Sequence, residues 1–459
     1  MARKSGTRTD FDVVIVGAGP AGIFCAYELK KLKPDSTVLL LDRGGRRPID
    51  ERENNLFGWG GAGAFSDGKL TLTSKTGGQL VDGGYLSPEE FEKLIKYTES
   101  LYEKFGGKQE LEIGDEAKIQ ELIRRANAAG LELIPYPIKH WGREGAYKLV
   151  EGLYGHLKRK RVQIHLNSEV VSVEKGTEKW GVVLKDGQTF WSRSLVIATG
   201  RGGADWAVKE LERHGVKTEN NPADVGVRME VKESMTQELT DVLHDFKLKY
   251  ITQERRDKVR TFCVCPNGIV VREQATNLVN GQTDKNCQTD NTNFAILVSM
   301  SFTEPFKDAN AYGRYVAGLG ALLSNGSVLV QTLADWQNKR RSKPDSLRGF
   351  PVKATLSDAA PGDLRGLALP ERIFAAVDEM IEALGRFIPG MNIGNNSLLY
   401  GIEAKFYSRK IVFGRNFETE AADLYVIGDG SGATRGLAQS TIMGIKTARD
   451  IVGKQAVSG

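Results

Sequence analysis

The sequence predicts an α/β protein in which a parallel-sheet domain is assembled from three separate stretches around a mixed α+β domain. Three observations predict it. Residues 12–42 carry an apolar strand, a glycine turn, a helix and a second apolar strand ending in an acid. Two later apolar strands, within residues 194–200 and 423–430, also end in small-residue turns. Between them, residues 226–405 mix short strands and helices with polar linkers.

The first strand, Val-Val-Ile-Val at 13–16, is short and wholly apolar, as a central parallel strand requires. Gly17 permits the tight turn, Gly19 lets the backbone approach a pyrophosphate, and Gly22 lets the next helix pack on the strand. That helix, opening at Pro20 and Ala21, aims its unpaired N–H groups and positive dipole end at phosphate. Residues 38–41 supply the second strand. Asp42, twenty residues after Gly22, is placed to accept hydrogen bonds from ribose hydroxyls, and Arg43 to touch phosphate or adenine. A glycine turn alone is a weak signal. With strand, helix, second strand and acid all at the right spacing, it marks an adenine-dinucleotide site. The fingerprint does not separate FAD from NAD(P).

Three later segments point to FAD. The run 54–69 contains Gly60, Gly61, Ala62, Ser66, Asp67, Gly68 and Lys69. Its glycines let backbone amides lie along a long cofactor. Asp67 and Lys69 would contact cofactor phosphate, ribityl groups or local backbone. The strand at 194–200 ends in Ala198, Thr199 and Gly200. The strand at 423–430 ends in Gly428 and Asp429, and a loop with Arg435 and Gly436 leads to a C-terminal helix opening at Leu437, Ala438 and Gln439.

This layout resembles the glutathione-reductase-like superfamily of FAD flavoproteins. The resemblance implies a discontinuous Rossmann-like FAD-binding domain, with Asp429 on the ribityl chain. It implies that residues 437–440 face the flavin pyrimidine ring, where a helix's positive end stabilises reduced flavin. A strand over 162–174 would hold the adenine edge, with Val170 at the contact. The strings at 60–70, 225–230, 259–268 and 428–439 are similar to a bacterial family of FAD-dependent, NAD(FAD)-utilising-dehydrogenase-like proteins. That likeness runs from about residue 10 to 452 and implies a cofactor and a broad reaction type, not a substrate. Asp42 departs from it, because such flavoproteins more often carry glutamate there; the shorter acid still reaches ribose.

The 459 residues suffice for two or three lobes. A hydrophobic content of 40% with 26% charged residues describes a soluble globular chain. The net charge of +5, from 63 basic and 58 acidic residues, does not indicate nucleic acid. The basic clusters at 158–161 and 339–343 read as a solvated helix end and a surface loop; the alternative is docking of an anionic substrate, partner or membrane surface. No apolar segment of a secretory signal follows the polar N-terminus and no stretch approaches a membrane span, so a cytoplasmic location is expected. Four cysteines do not suggest a disulfide framework, and without a histidine or second cysteine cluster no metal site is expected. Cys263 and Cys265 form a C-x-C pair whose side chains, on a regular strand, share one face. They read as two small packed residues; the alternative is a redox thiol beside the flavin.

Along the chain, residues 10–75, 140–225 and 406–459 build the FAD-binding domain, 76–139 a helical insertion, and 226–405 the substrate or cap domain. A second complete nucleotide fingerprint is missing, so direct reaction between substrate and flavin is expected, with NAD(P)H still possible as an external donor or acceptor. No motif requires covalent attachment, and non-covalent FAD is expected. His140, flanked by Trp141 and Arg143, is the acid/base candidate; its alternative is a hydrogen-bonded loop histidine. Arg435 would hold a substrate carboxylate, stabilise reduced flavin, or pair with an acid. The expected function is hydride transfer between flavin N5 and a small organic substrate. Alternatives are a flavin monooxygenase and an FAD-containing factor that binds or modifies RNA or protein. The oligomeric state is open.

Overall fold

The computed structural model describes residues 9–46, 56–64, 68–243, 245–273, 276–283 and 288–457. Its chain divides into two compact units: residues 1–112, 136–220 and 408–459 form the first, and 113–135 with 221–407 the second. No described helix is long and apolar enough to cross a membrane.

The first unit is built on β1 (Thr9–Val16), α1 (Pro20–Leu32) and β2 (Val38–Leu41). β1 pairs in parallel with β2 on one side and with Thr189–Ile197 on the other. Thr189–Ile197 pairs in parallel with Leu424–Val426, and β2 with Gln163–His165. The antiparallel strands Trp180–Leu184 and Val170–Lys175 extend the sheet as a meander. Val13, Ile15 and Leu40 enter one apolar core, and Val14, Val16, Leu39 and Leu41 another. Alternate residues point to opposite faces, so burial on both faces explains why these strands are apolar throughout rather than alternating. On one of those faces α1 meets the C-terminal helix Leu437–Val457 so closely that a Cβ on Gly444 would lie 2.2 Å from the carbonyl oxygen of Ala21.

Two segments differ from their sequence expectation. The stretch 162–174 is not one strand. Gln163–His165 lies at one edge of the sheet and Val170–Lys175 at the other. Between them the chain crosses the strand ends, turned by Asn167 at φ +55° and tied by Asn167 N–H to Gly44 C=O and by Ser168 N–H to Asp42 C=O. The expected insertion 76–139 is also divided. Helix Pro88–Gly106, capped by Ser87 on the Glu90 N–H at 3.1 Å, stays with the first unit. Glu132–Ile134 goes to the second, because it pairs with Lys247–Ile251 there.

The second unit centres on an eight-stranded mixed sheet. Val225, Val227, Met229 and Val231 of strand Ala223–Lys232 belong to a core that includes Ile373, Val377 and Met380 of helix Glu371–Phe387. The alternate residues Asp224, Arg228 and Glu230 are buried charges. Arg228, fully buried, donates from Nε and Nη2 to Glu403 at 2.7 and 3.0 Å, and from Nη1 to Asn293 Oδ1 at 2.7 Å. Such a forked, fully partnered ion pair offsets the desolvation of its two charges.

Candidate functional site

In the first unit a cleft opens beyond the C-terminal ends of the parallel strands, where open α/β sheets take their ligands. Gly17 turns the chain out of β1 at φ +117°, and a Cβ there would lie 2.2 Å from the Ala198 carbonyl oxygen. A Cβ on Gly22 would lie 2.0 Å from the Gly17 carbonyl oxygen, so this glycine lets α1 pack on the turn, outside the cleft lining. Gly19 is different: among the described residues nothing lies within 4 Å of where its Cβ would be. As the N-cap residue, Gly19 has no side chain to cap α1. The first-turn N–H groups, with Pro20 and Ala21, therefore face the cleft with the positive end of the helix dipole.

Asp42 lines the cleft at the end of β2. Its Oδ2 accepts from Ala18 N–H at 2.8 Å, and its Oδ1 from Gly44 N–H at 2.8 Å and Gly58 N–H at 2.7 Å. A carboxylate carries about four acceptor sites, so capacity remains for a ribose hydroxyl. Arg43 donates to Gly202 C=O at 3.0 Å, with its guanidinium 4.2 Å from the Phe57 ring centroid. Gly61 and Ala62 line the wall beside Gly19, and Val170 lines the region near Asp42 that also holds Ser168, Glu169 and Trp206.

Where the neighbouring parallel strands Thr189–Ile197 and Leu424–Val426 end, the cleft is made by Ala198, Thr199 and Gly200 and by Gly428 and Asp429. Asp429 accepts from Ser440 Oγ at 2.8 Å and Thr434 Oγ1 at 3.0 Å. Burial pushes its carboxyl up, against these two hydrogen bonds and the Arg201 charge. Arg435, Gly436 and Leu437 line the cleft where the C-terminal helix begins. Thus a second helix N-terminus points its dipole here.

Other expected residues lie outside that lining. Gly60 N–H bonds Ala18 C=O at 2.8 Å and supports the wall from behind. Gln439 turns away: its Nε2 donates to Ser74 and Thr76 carbonyls at 3.3 and 2.7 Å, and its Oε1 accepts from Leu80 N–H at 3.2 Å. It holds the segment 74–80 against the helix start, while neighbouring Ala438 packs in the core. Lys69 and His140 are paired positions of a small antiparallel sheet, and His140 Nδ1 lies 3.9 Å from Glu112. Gly68 C=O accepts from Trp141 N–H beside them. Ser66 and Asp67 lie outside the described residues. Among the described residues no group of three or more His, Cys, Asp or Glu could hold a metal ion.

Ser168, Glu169, Trp206 and Arg201 line the cleft although the sequence reading did not select them; Ser440, the last residue of the stretch expected to face the flavin, lines it too. The run Gly200-Arg201-Gly202-Gly203 carried a usable signal: it follows an apolar strand and forms a short 3-10 turn at the cleft. Ser168 and Glu169 carried none, since they arrive by the crossing of the sheet.

Residues 222–406 match the family model described as "FAD-dependent protein, C-terminal domain-like". The chain is 26% identical over 489 residues to an uncharacterized protein of Clostridium beijerinckii, covering 96% of this chain and 80% of that one. Similar solved structures include glycine oxidase from Geobacillus kaustophilus, at 13% identity and TM-score 0.39 over 97% of this chain and 95% of that one. They also include NikD, an unusual amino acid oxidase essential for nikkomycin biosynthesis, at 12% identity and TM-score 0.43 over 97% and 94% of the two chains.

Proposed function

We propose that this chain is an FAD-dependent oxidoreductase that holds FAD non-covalently along the cleft and exchanges a hydride with a small organic substrate. The observation that carries the reading is the N-terminus of α1, with Gly19 as its N-cap residue, on a cleft lining that also holds Asp42 and Asp429. A dinucleotide presents its pyrophosphate to such a helix N-terminus and a ribose to the acid that ends the second strand. The description of the model matched by residues 222–406 supports FAD.

The flavin, when bound, supplies hydride chemistry at N5. The chain's own part is binding and electrostatics. The first turn of α1 would neutralise the pyrophosphate, and Asp42 would accept from the adenosine ribose. Asp429 would accept from the ribityl chain. The N-terminus of the C-terminal helix and Arg435 would favour negative charge on a reduced ring. His140, outside the cleft lining, is not assigned a proton-transfer role.

Purified protein should be yellow and release FAD on denaturation. Anaerobic mixing with NADH, NADPH and a metabolite pool then reads the reaction class. Flavin bleaching by a metabolite alone supports the dehydrogenase. Bleaching by NAD(P)H followed by substrate-dependent oxygen uptake would instead make it a monooxygenase. A colourless protein that does not take up added FAD would sink the proposal.

A further inference from the structure

The second unit contains a thiol pair that the proposed flavin chemistry does not use. On a regular strand Cys263 and Cys265 would share one face. The structure breaks that pattern. Strand Lys258–Cys265 pairs with Asn291–Met300 in register up to Phe262 opposite Ala295, and resumes at Cys265 opposite Asn293. Three steps on one strand thus match two on the other, which is a β-bulge. Within it Cys263 takes a left-handed backbone at φ +50°, uncommon for a residue other than glycine or asparagine. Cys263 is exposed while Cys265 is buried, and the Cys265 thiol donates to the Cys263 carbonyl oxygen at 3.6 Å.

Behind them lies Arg228. Its Nη1 donates both to the Cys263 carbonyl at 3.2 Å and to Asn293 Oδ1 at 2.7 Å, and Glu403 accepts from Nε and Nη2. The neighbouring Cys265 thiol and the Arg228 charge lower the Cys263 thiol, against the charges of Glu403 and Asp245. The neighbouring Cys263 thiol and burial push the Cys265 thiol up. Cys25 makes the contrast: it is fully buried on α1, and burial pushes its thiol up. An accessible thiolate next to a protonated, buried partner is the arrangement of an attacking and a resolving thiol.

We propose that Cys263 and Cys265 form a redox-active dithiol, oxidised to a disulfide by hydrogen peroxide or an organic hydroperoxide. The Cys263 thiolate attacks a peroxide oxygen; the S–O bond forms, the O–O bond breaks, and water or an alcohol leaves after taking up a proton. Cys265 sulfur then attacks the Cys263 sulfenic acid. The S–S bond forms, the S–O bond breaks, and the leaving hydroxide departs as water with the Cys265 proton. The two sulfurs lose two electrons and the peroxide gains them.

The test uses the full chain with stoichiometric hydrogen peroxide, followed by alkylation and mass mapping of the tryptic peptide 261–272, which holds Cys263 and Cys265 and no other cysteine. The expected wild-type result is a peptide lighter by two hydrogens and closed to alkylation until reduced. Cys265→Ser should stop at a Cys263 sulfenic acid that dimedone traps. Cys263→Ser should leave Cys265 unmodified. The pH midpoint of Cys263 alkylation should lie below that of an ordinary thiol and rise in Cys265→Ser. A wild-type peptide that keeps both free thiols overturns the proposal, as does dimedone labelling of Cys265 in Cys263→Ser. These readouts are independent of bound FAD, so they stand or fall separately from the flavin assignment.

Discussion

Asp42 Oδ2 accepts a hydrogen bond from Ala18 N–H at 2.8 Å, so the acid that ends β2 holds the glycine turn that ends β1. Its other oxygen holds Gly44 and Gly58. The residue read from sequence as a ribose ligand is thus also the tie between the turn, the chain after β2 and the glycine loop. Asp42→Ala would leave three backbone donors short of a partner at a site only 7% exposed. We expect a loss of about 2–3 kcal/mol in urea unfolding of ligand-free protein, together with loss of bound FAD. A variant as stable as wild type would show that water replaces the carboxylate.

The glycines of the fingerprint should separate in their effects. Gly17→Ala drives a Cβ into the Ala198 carbonyl oxygen at 2.2 Å from a positive φ, and should destabilise the ligand-free fold by more than about 2 kcal/mol. Gly19→Ala meets nothing within 4 Å among the described residues, from an extended backbone at φ −83°, ψ −178°. It should leave ligand-free stability within about 0.5 kcal/mol and weaken FAD about tenfold or more. Thermal unfolding without FAD and equilibrium dialysis with it check the two halves.

Asp429 should oppose stability at neutral pH. Its folded-state carboxyl is raised above its unfolded value by burial. The sign follows: its contribution is most favourable below the ordinary carboxylate range and is lost as pH rises through the raised value. Asp429→Asn keeps an acceptor for Ser440 and Thr434 and removes the charge. In ligand-free protein its Tm, relative to wild type, should therefore rise between pH 4 and pH 7, while FAD retention falls. A Tm difference that is flat with pH would contradict the buried-charge reading.

Gln439→Ala should release the segment 74–80. It removes contacts to Ser74, Thr76 and Leu80, worth about 1–2 kcal/mol together. Limited proteolysis should cut near 74–80 several-fold faster, with little change around Val170.

What the sequence by itself determined is the local part of this site. β1, Gly17, α1, β2 and Asp42 lie within one short stretch, and each has a signature set by nearby chemistry: an unbroken apolar run for a strand buried on both faces, a glycine at a turn, an acid at a strand end. The ends of the strands reaching Ala198 and Gly428 were legible for the same reason. Tertiary structure decided the rest, because it depends on pairings between distant residues that leave no local periodicity. The crossing from His165 to Val170 brings Ser168 and Glu169 into the cleft only because Asn167 and Ser168 bond to the chain after β2. Gln439 sits at the helix start as expected, but its amide reaches a segment some 360 positions earlier, and that contact decides which way it points. Cys263 and Cys265 read as neighbours on one strand face. The extra residue in the pairing with Asn291–Met300, and the Arg228 that β-pairing places behind it, turned one outward and left the other buried.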